Sequence, residues 1–122
     1  VKPDTIAKSL AIGNPADGPY ALDVVRRTGG AVADVSDAEV VEGIKLLAQT
    51  EGIFAETAGG VVVATYRKLL AEGLVDPSAE TVLLNTGDGL KTLDAVAATS
   101  QPTFSISPSF DDFETHYAEV SA

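Results

Sequence analysis

Helical spacing of apolar residues dominates the pattern along this chain. The clearest helix follows the capping-box sequence Ser36-Asp37-Ala38-Glu39, in which a hydroxyl and a carboxylate satisfy backbone amides reciprocally, and it runs to about Thr50. Gly52 is expected to close it. The full set of predicted helices covers roughly residues 5–11, 20–28, 37–50, 57–72, 93–98 and 110–120. Local signals for helices therefore extend over most of the chain.

Three shorter segments predict strands instead. Residues 31–35 and 81–84 are mostly apolar or β-branched, and turn-forming residues bound them. Residues 103–107 alternate and predict an edge strand, with Pro108 just beyond it. Because helices and strands alternate, we expect an α/β fold with a mostly parallel sheet and flanking helices.

Composition and charge narrow the range of partners. The 122 residues are 45% hydrophobic, enough for a core, and carry a net charge of −10 with only eight Lys and Arg. This balance speaks against nucleic acid or an anionic membrane surface as a partner. The chain has no Cys and one His, which argues against a zinc site, and the apolar run over 61–64 is far too short to span a bilayer. Since the chain starts at Val1 with neither an initiating Met nor a signal peptide, we expect it to be an excerpt of a longer protein.

The strongest candidate site follows the predicted strand over 81–84. The sequence Asn85-Thr86-Gly87-Asp88-Gly89 combines a hydroxyl, an amide and a permissive backbone. In an open α/β sheet, ligands bind beyond the carboxyl ends of the strands. A plain strand-to-helix turn explains the same residues, and the stretch matches neither phosphate-binding glycine pattern, GxGxxG or GxxxxGK.

Two further segments have polar groups in suggestive places. Glu56 and Thr57 stand at a predicted helix start, where they face a ligand or simply cap the helix. The sequence Ile12-Gly13-Asn14-Pro15 is a third candidate, with an ordinary loop as the alternative. His116 is remote in sequence and is interpreted as a surface residue, so no Ser/His/Asp set can be assembled.

Together these segments resemble a known family. Residues 5–15, 29–57 and 81–92 carry, in order and at family spacing, motifs similar to the C-terminal part of the threonine synthases. These are pyridoxal-phosphate enzymes of the tryptophan-synthase-β-like fold, PLP fold type II. The resemblance implies that residues 1–98 form the C-terminal part of the catalytic domain and residues 99–122 a tail.

The resemblance also implies roles for individual residues. Thr86 matches the hydroxyl that faces the pyridine nitrogen of pyridoxal 5′-phosphate, and Gly87 shapes its loop. The implied cofactor-binding residues are Thr86, Gly87, Gly13 and Glu56, and the implied substrate-binding residues are Asn14 and Thr57. The implied reaction converts O-phosphohomoserine and water to threonine and phosphate, in a cytoplasmic enzyme that is a candidate homodimer.

The family's Schiff-base lysine and glycine-rich phosphate loop are not recognisable in this sequence. Both would lie upstream, in an N-terminal remainder of the same chain, so no catalytic residue is assigned here. We therefore expect the 122-residue piece alone to be inactive. Two alternatives stay open: another enzyme of the same fold that eliminates or replaces groups at the β or γ carbon, such as a threonine dehydratase, and a non-catalytic ligand-binding α/β module.

Overall fold

Four α-helices make up most of the regular structure in the computed structural model, which describes residues 2–102 and 104–120. They are α1 (Gly18–Thr28), α2 (Asp37–Glu51), α3 (Thr57–Ala71) and α4 (Phe110–Val120). Short 3₁₀ segments cover Lys8–Leu10, Gly89–Ala95 and Ala97–Thr99. The predicted helix over 5–11 is thus reduced to one 3₁₀ turn, and that over 93–98 is 3₁₀ rather than α.

The ends of α1 and α2 form as their sequences predict. Pro19 stands in the first turn of α1, and Gly29 closes that helix in the left-handed conformation (φ 68°). At α2 the capping box is complete: the Ser36 N–H donates to Glu39 Oε2 at 2.6 Å, and the Glu39 N–H donates to Ser36 Oγ at 3.3 Å. Gly52 then ends α2 with φ 68°.

The core lies between α2 and α3, which cross at two glycines. A β-carbon on Gly43 would lie 2.5 Å from the Gly60 carbonyl oxygen, and one on Gly60 would lie 2.5 Å from the Val40 carbonyl oxygen. The helices therefore touch backbone to backbone, which only glycine permits. The close approach buries Val40 and Ile44, which are 1% and 2% exposed.

The residues predicted as strands carry no regular secondary structure in the described part of the chain. Within the described part of the chain, neither 31–35 nor 81–84 is assigned as a strand, and the one isolated β-bridge pairs Ala55 with Asp88. Val82 and Leu84 are 79% and 72% exposed. A strand needs a neighbour for its backbone N–H and C=O groups. The mostly parallel sheet is therefore not observed here.

The C-terminal region contains the helix α4, Phe110–Val120. The Asp112 N–H donates to Ser109 Oγ at 3.2 Å, which satisfies one of the amides that the helix start leaves unpaired. The predicted edge strand over 103–107 cannot be followed as a whole, because residue 103 lies outside the described residues, and residues 104–107 are not assigned as a strand.

Candidate functional site

The loop over 85–89 is joined to the start of α3 by backbone hydrogen bonds. The Glu56 N–H donates to the Gly87 carbonyl at 3.1 Å, and the Gly89 N–H donates to the Phe54 carbonyl at 2.9 Å. These two bonds form the antiparallel bridge between Ala55 and Asp88. Segments about thirty residues apart in sequence are thereby brought into one site.

The Glu56 carboxylate lies directly over Gly87. Glu56 is the N-cap residue of α3, but its side chain makes no capping hydrogen bond. A β-carbon on Gly87 would overlap the carboxylate, so this position has room for glycine alone unless Glu56 moves. The carboxylate, on a side chain only 11% exposed, lies 3.8 Å from Lys91 Nζ. Glu56 thus occupies the N-cap position without capping through its side chain, and its carboxylate is directed at the loop.

Thr57, the first residue of α3, is completely buried, with an exposed fraction of 0%. Its N–H donates to Thr92 Oγ1 at 3.2 Å, which satisfies one of the amides that a helix start leaves unpaired. Its own hydroxyl is buried and finds no hydrogen-bond partner among the described residues. A buried hydroxyl without a partner carries a desolvation penalty of about 1–3 kcal/mol, which marks this position as unusual.

Thr86 faces an open hollow of about 450 Å³ beside these residues. The side chain of Thr86 is exposed, whereas the adjacent Gly87 is buried. The lining residues come from the 52–54 segment and from the loop, and they are Gly52, Ile53, Phe54, Asn85, Thr86, Gly87 and Asp88. The predicted hydroxyl is thus accessible to a ligand and is held on a backbone that α3 anchors.

Gly13 and Asn14 are exposed in a bend between the first 3₁₀ turn and α1. In the described structure they are not among the residues that line the hollow at Thr86. The structure therefore brings Glu56 against Gly87, the neighbour of Thr86. Glu56 and Thr57, like Gly13 and Asn14, are not among the residues that line the hollow at Thr86. The roles predicted for these residues stay predictions.

An exposed ion pair connects the N-terminal segment to the 3₁₀ segment after the loop. Lys8 Nζ donates to Asp94 Oδ2 at 2.7 Å. The hydrogen bond from Lys8, together with its positive charge, lowers the pKa of Asp94 below its ordinary value. Solvent screens such an exposed ion pair strongly, so it contributes little to the free energy of unfolding.

Sequence reasoning assigned no role to Lys91 or Thr92. Both contact the start of α3, some 35 residues earlier in the chain. No local spacing rule connects a helix start to a loop so far away. The available signal was the position of a lysine and a threonine directly after a glycine-rich turn, which is too common to be specific.

Two further features are absent from the part of the chain that the structure describes. No group of three or more His, Cys, Asp or Glu side chains there is arranged to hold a metal ion. No described helix has both the length and the apolar character needed to cross a membrane.

Comparison with known proteins identifies clear similarities. The family model for pyridoxal-phosphate dependent enzymes matches residues 1–87. The chain is 44% identical over 104 residues to a threonine synthase of Methanocaldococcus jannaschii, covering 85% of this chain and 26% of that protein. It is 40% identical over 90 residues to a threonine synthase of Halalkalibacterium halodurans, covering 74% and 25%. It is 34% identical over 120 residues to a threonine synthase of Bacillus sp., covering 98% and 34%. The chain thus spans about a quarter to a third of the length of these curated relatives.

Proposed function

Because this chain belongs to the family of pyridoxal-phosphate dependent enzymes, we propose that it forms the C-terminal part of a threonine synthase. Membership of this family implies PLP fold type II and pyridoxal 5′-phosphate as the cofactor. The similarity to threonine synthases over most of the chain carries the proposal. It does not favour the threonine dehydratase-like enzyme or the non-catalytic module, since the relatives reported above are all threonine synthases.

The proposed reaction of the complete enzyme converts O-phosphohomoserine and water to threonine and phosphate. The cofactor supplies an electron sink for negative charge that develops on the substrate carbons. The Schiff-base lysine and the phosphate-binding loop belong to the N-terminal remainder of the polypeptide. The 122-residue chain alone is accordingly inactive in this proposal.

Thr86 would face the pyridine nitrogen of the cofactor. Two observations support this role: the side chain is exposed at the rim of the hollow, and the backbone at Gly87 is fixed through the Glu56 N–H. A neutral hydroxyl accepts or donates a hydrogen bond without enforcing protonation of the ring nitrogen, unlike a carboxylate. Thr86 would therefore orient the ring and moderate how strongly it withdraws electrons.

The remaining site residues are proposed by resemblance. Gly13 would line the cofactor cavity and Asn14 the substrate cavity, and both are exposed and accessible in the bend before α1. Thr57 would support the substrate side through its buried hydroxyl. Glu56 would act close to the cofactor, with its carboxylate held over Gly87.

The complete protein would also supply the missing sheet. We place residues 31–35 and 81–84 as strands of a mostly parallel sheet in the catalytic domain, 1–98, with residues 99–122 as a tail. Their high exposure supports this assignment, because Val32, Val82 and Leu84 are at least 72% exposed. The surfaces that cover them would come from the N-terminal remainder or from a second copy in a homodimer, in a cytoplasmic enzyme.

The proposal is tested with the full-length protein and O-phosphohomoserine. We expect phosphate release by the wild type and none by the 122-residue chain. Thr86→Val keeps the shape of the side chain but removes the hydroxyl, and it should lower kcat/KM by about tenfold or more. Thr86→Ser should restore most of the activity. The proposal fails if the full-length protein releases no phosphate from this substrate, and the role of Thr86 fails if Thr86→Val is as active as the wild type.

A further inference from the structure

We propose that Lys91 and Thr92 are positioning residues that hold the Thr86 loop against α3 and so set the affinity for the cofactor. The inference rests on the proposed function. The match to the family model ends at residue 87, before both residues. Each of the two residues makes one contact with the start of α3.

Thr92 lies where the 3₁₀ segment Gly89–Ala95 is interrupted by a kink. Its φ of −138° and ψ of 45° are not helical and interrupt the 3₁₀ segment Gly89–Ala95. Its Oγ1 accepts from the Thr57 N–H at 3.2 Å. Because α3 leaves its first amides unpaired, the Thr92 hydroxyl satisfies a donor that would otherwise be buried without a partner.

Lys91 lies close to the negatively charged carboxylate of Glu56. The Glu56 side chain is 11% exposed, whereas the Lys91 side chain is 61% exposed and reaches the carboxylate from solvent, with Nζ 3.8 Å from Oε1. A carboxylate this far removed from water needs a cation or hydrogen bonds nearby. Lys91 supplies that cation and keeps the carboxylate over Gly87.

These contacts fix the chain on the C-terminal side of Thr86. The Gly87 carbonyl accepts from the Glu56 N–H, Lys91 reaches the Glu56 carboxylate, and Thr92 reaches the next residue of α3. Thr86 immediately precedes the first of these anchors. If Lys91 or Thr92 is lost, the loop is less firmly held, and the hydroxyl at position 86 is less well oriented for a ring nitrogen.

The experiment measures binding of pyridoxal 5′-phosphate to the full-length apoenzyme by absorbance titration, together with the absorption maximum of the bound cofactor. Thr92→Val should weaken cofactor binding about tenfold, since it leaves the Thr57 N–H without its acceptor. Thr92→Ser keeps the hydroxyl and should bind within about twofold of the wild type. Lys91→Met should weaken binding roughly threefold, with Lys91→Arg closer to the wild type.

Two controls separate positioning from general stability. Lys45→Met removes a lysine that pairs with Glu42 on the surface of α2, at 3.4 Å, and should leave cofactor binding unchanged. Thr50→Val removes a hydroxyl that donates to the Leu46 carbonyl on α2, and it should likewise leave binding unchanged. A displaced absorption maximum in Thr92→Val and Lys91→Met, absent in the controls, would support a role at the cofactor.

Three results decide the matter. The inference is overturned if Thr92→Val and Lys91→Met bind the cofactor as the wild type does, or if they only lower the melting temperature of the apoenzyme. If Thr92→Val does not fold, Lys91→Met decides, because its side chain is exposed and can be replaced without disturbing the core. If the wild-type protein itself binds no pyridoxal 5′-phosphate, the proposed function fails instead.

Discussion

The α2–α3 pair and the segment over 81–84 both contain large apolar side chains, but these side chains differ greatly in exposure. Val40 and Ile44 of α2 are 1% and 2% exposed, whereas Val82 and Leu84 are 79% and 72% exposed. The helices satisfy their backbone hydrogen bonds internally and need only each other to bury a face. An extended segment needs neighbouring strands for both its backbone and its side chains. The difference shows that the helices are specified locally, whereas residues 81–84 would need partners outside the described residues to form a strand.

The largest expected effect comes from replacing one large apolar side chain by alanine in each of these two regions. Ile44→Ala should lower the free energy of unfolding of the 122-residue chain by about 2–5 kcal/mol, because Ile44 is fully buried in the core. Leu84→Ala should change it by no more than about 0.5 kcal/mol, because Leu84 is exposed. Urea unfolding followed by circular dichroism measures both.

The same two substitutions in the full-length protein test whether residues 81–84 form a buried strand there. If residues 81–84 form an inner strand there, Leu84→Ala should become as costly as Ile44→Ala, about 2–5 kcal/mol. A small cost in both chains would contradict the proposed sheet. Equal large costs in the 122-residue chain would contradict the observed exposure of Leu84.

The sequence predicted the local structure of the helices well, for reasons that particular residues make clear. Ser36 and Glu39 form their capping box, and Gly52 ends α2 at positive φ, as predicted. These signals lie within a few residues of the structure they specify. The strands were predicted from residues 31–35 and 81–84 just as directly, but their formation depends on partners that a local pattern cannot supply.

The second expected effect concerns the glycine crossing that makes the α2–α3 pair so compact. In an exposed helix, Gly→Ala stabilises by up to about 1 kcal/mol. Gly60→Ala should instead destabilise by about 1–3 kcal/mol, because the new methyl group would lie 2.5 Å from the Val40 carbonyl oxygen and force the helices apart. Gln49→Ala on the exposed side of α2 is the control and should stay within about 0.5 kcal/mol. A stabilising Gly60→Ala would show that the crossing is looser than described.

The candidate site was predictable in part. Thr86, Gly87 and Glu56 were each identified from sequence, and the structure places Glu56 against Gly87, the neighbour of Thr86, although their predicted roles are not tested by it. The contacts of Lys91 and Thr92 with α3 were not predictable, since they depend on how a loop folds back over a distant helix start. Gly13 and Asn14 remain apart from the hollow at Thr86 in the described structure. Contacts of long sequence separation are the part that local patterns do not encode.

The smallest expected effect lies at the start of α2, the most local of these structures, and it depends on pH. The Ser36 N–H and, to a smaller extent, the Ser36 hydroxyl hydrogen-bond to the Glu39 carboxylate and lower its pKa in the folded state. The contribution of the ionised Glu39 carboxylate to stability is therefore complete above the unfolded pKa, about 4.3, and is lost as the pH falls through the lower folded value.

Glu39→Gln keeps an acceptor but does not titrate, so the stability difference between wild type and Glu39→Gln should shrink on acidification below about pH 4.3. Other carboxylates with lowered pKa, such as Asp94, are common to both proteins and cancel in the difference. Ser36→Ala should retain part of the pH dependence, because the backbone N–H remains. A difference between wild type and Glu39→Gln that stays constant down to about pH 3 would mean that the capping box does not depend on the charge of Glu39.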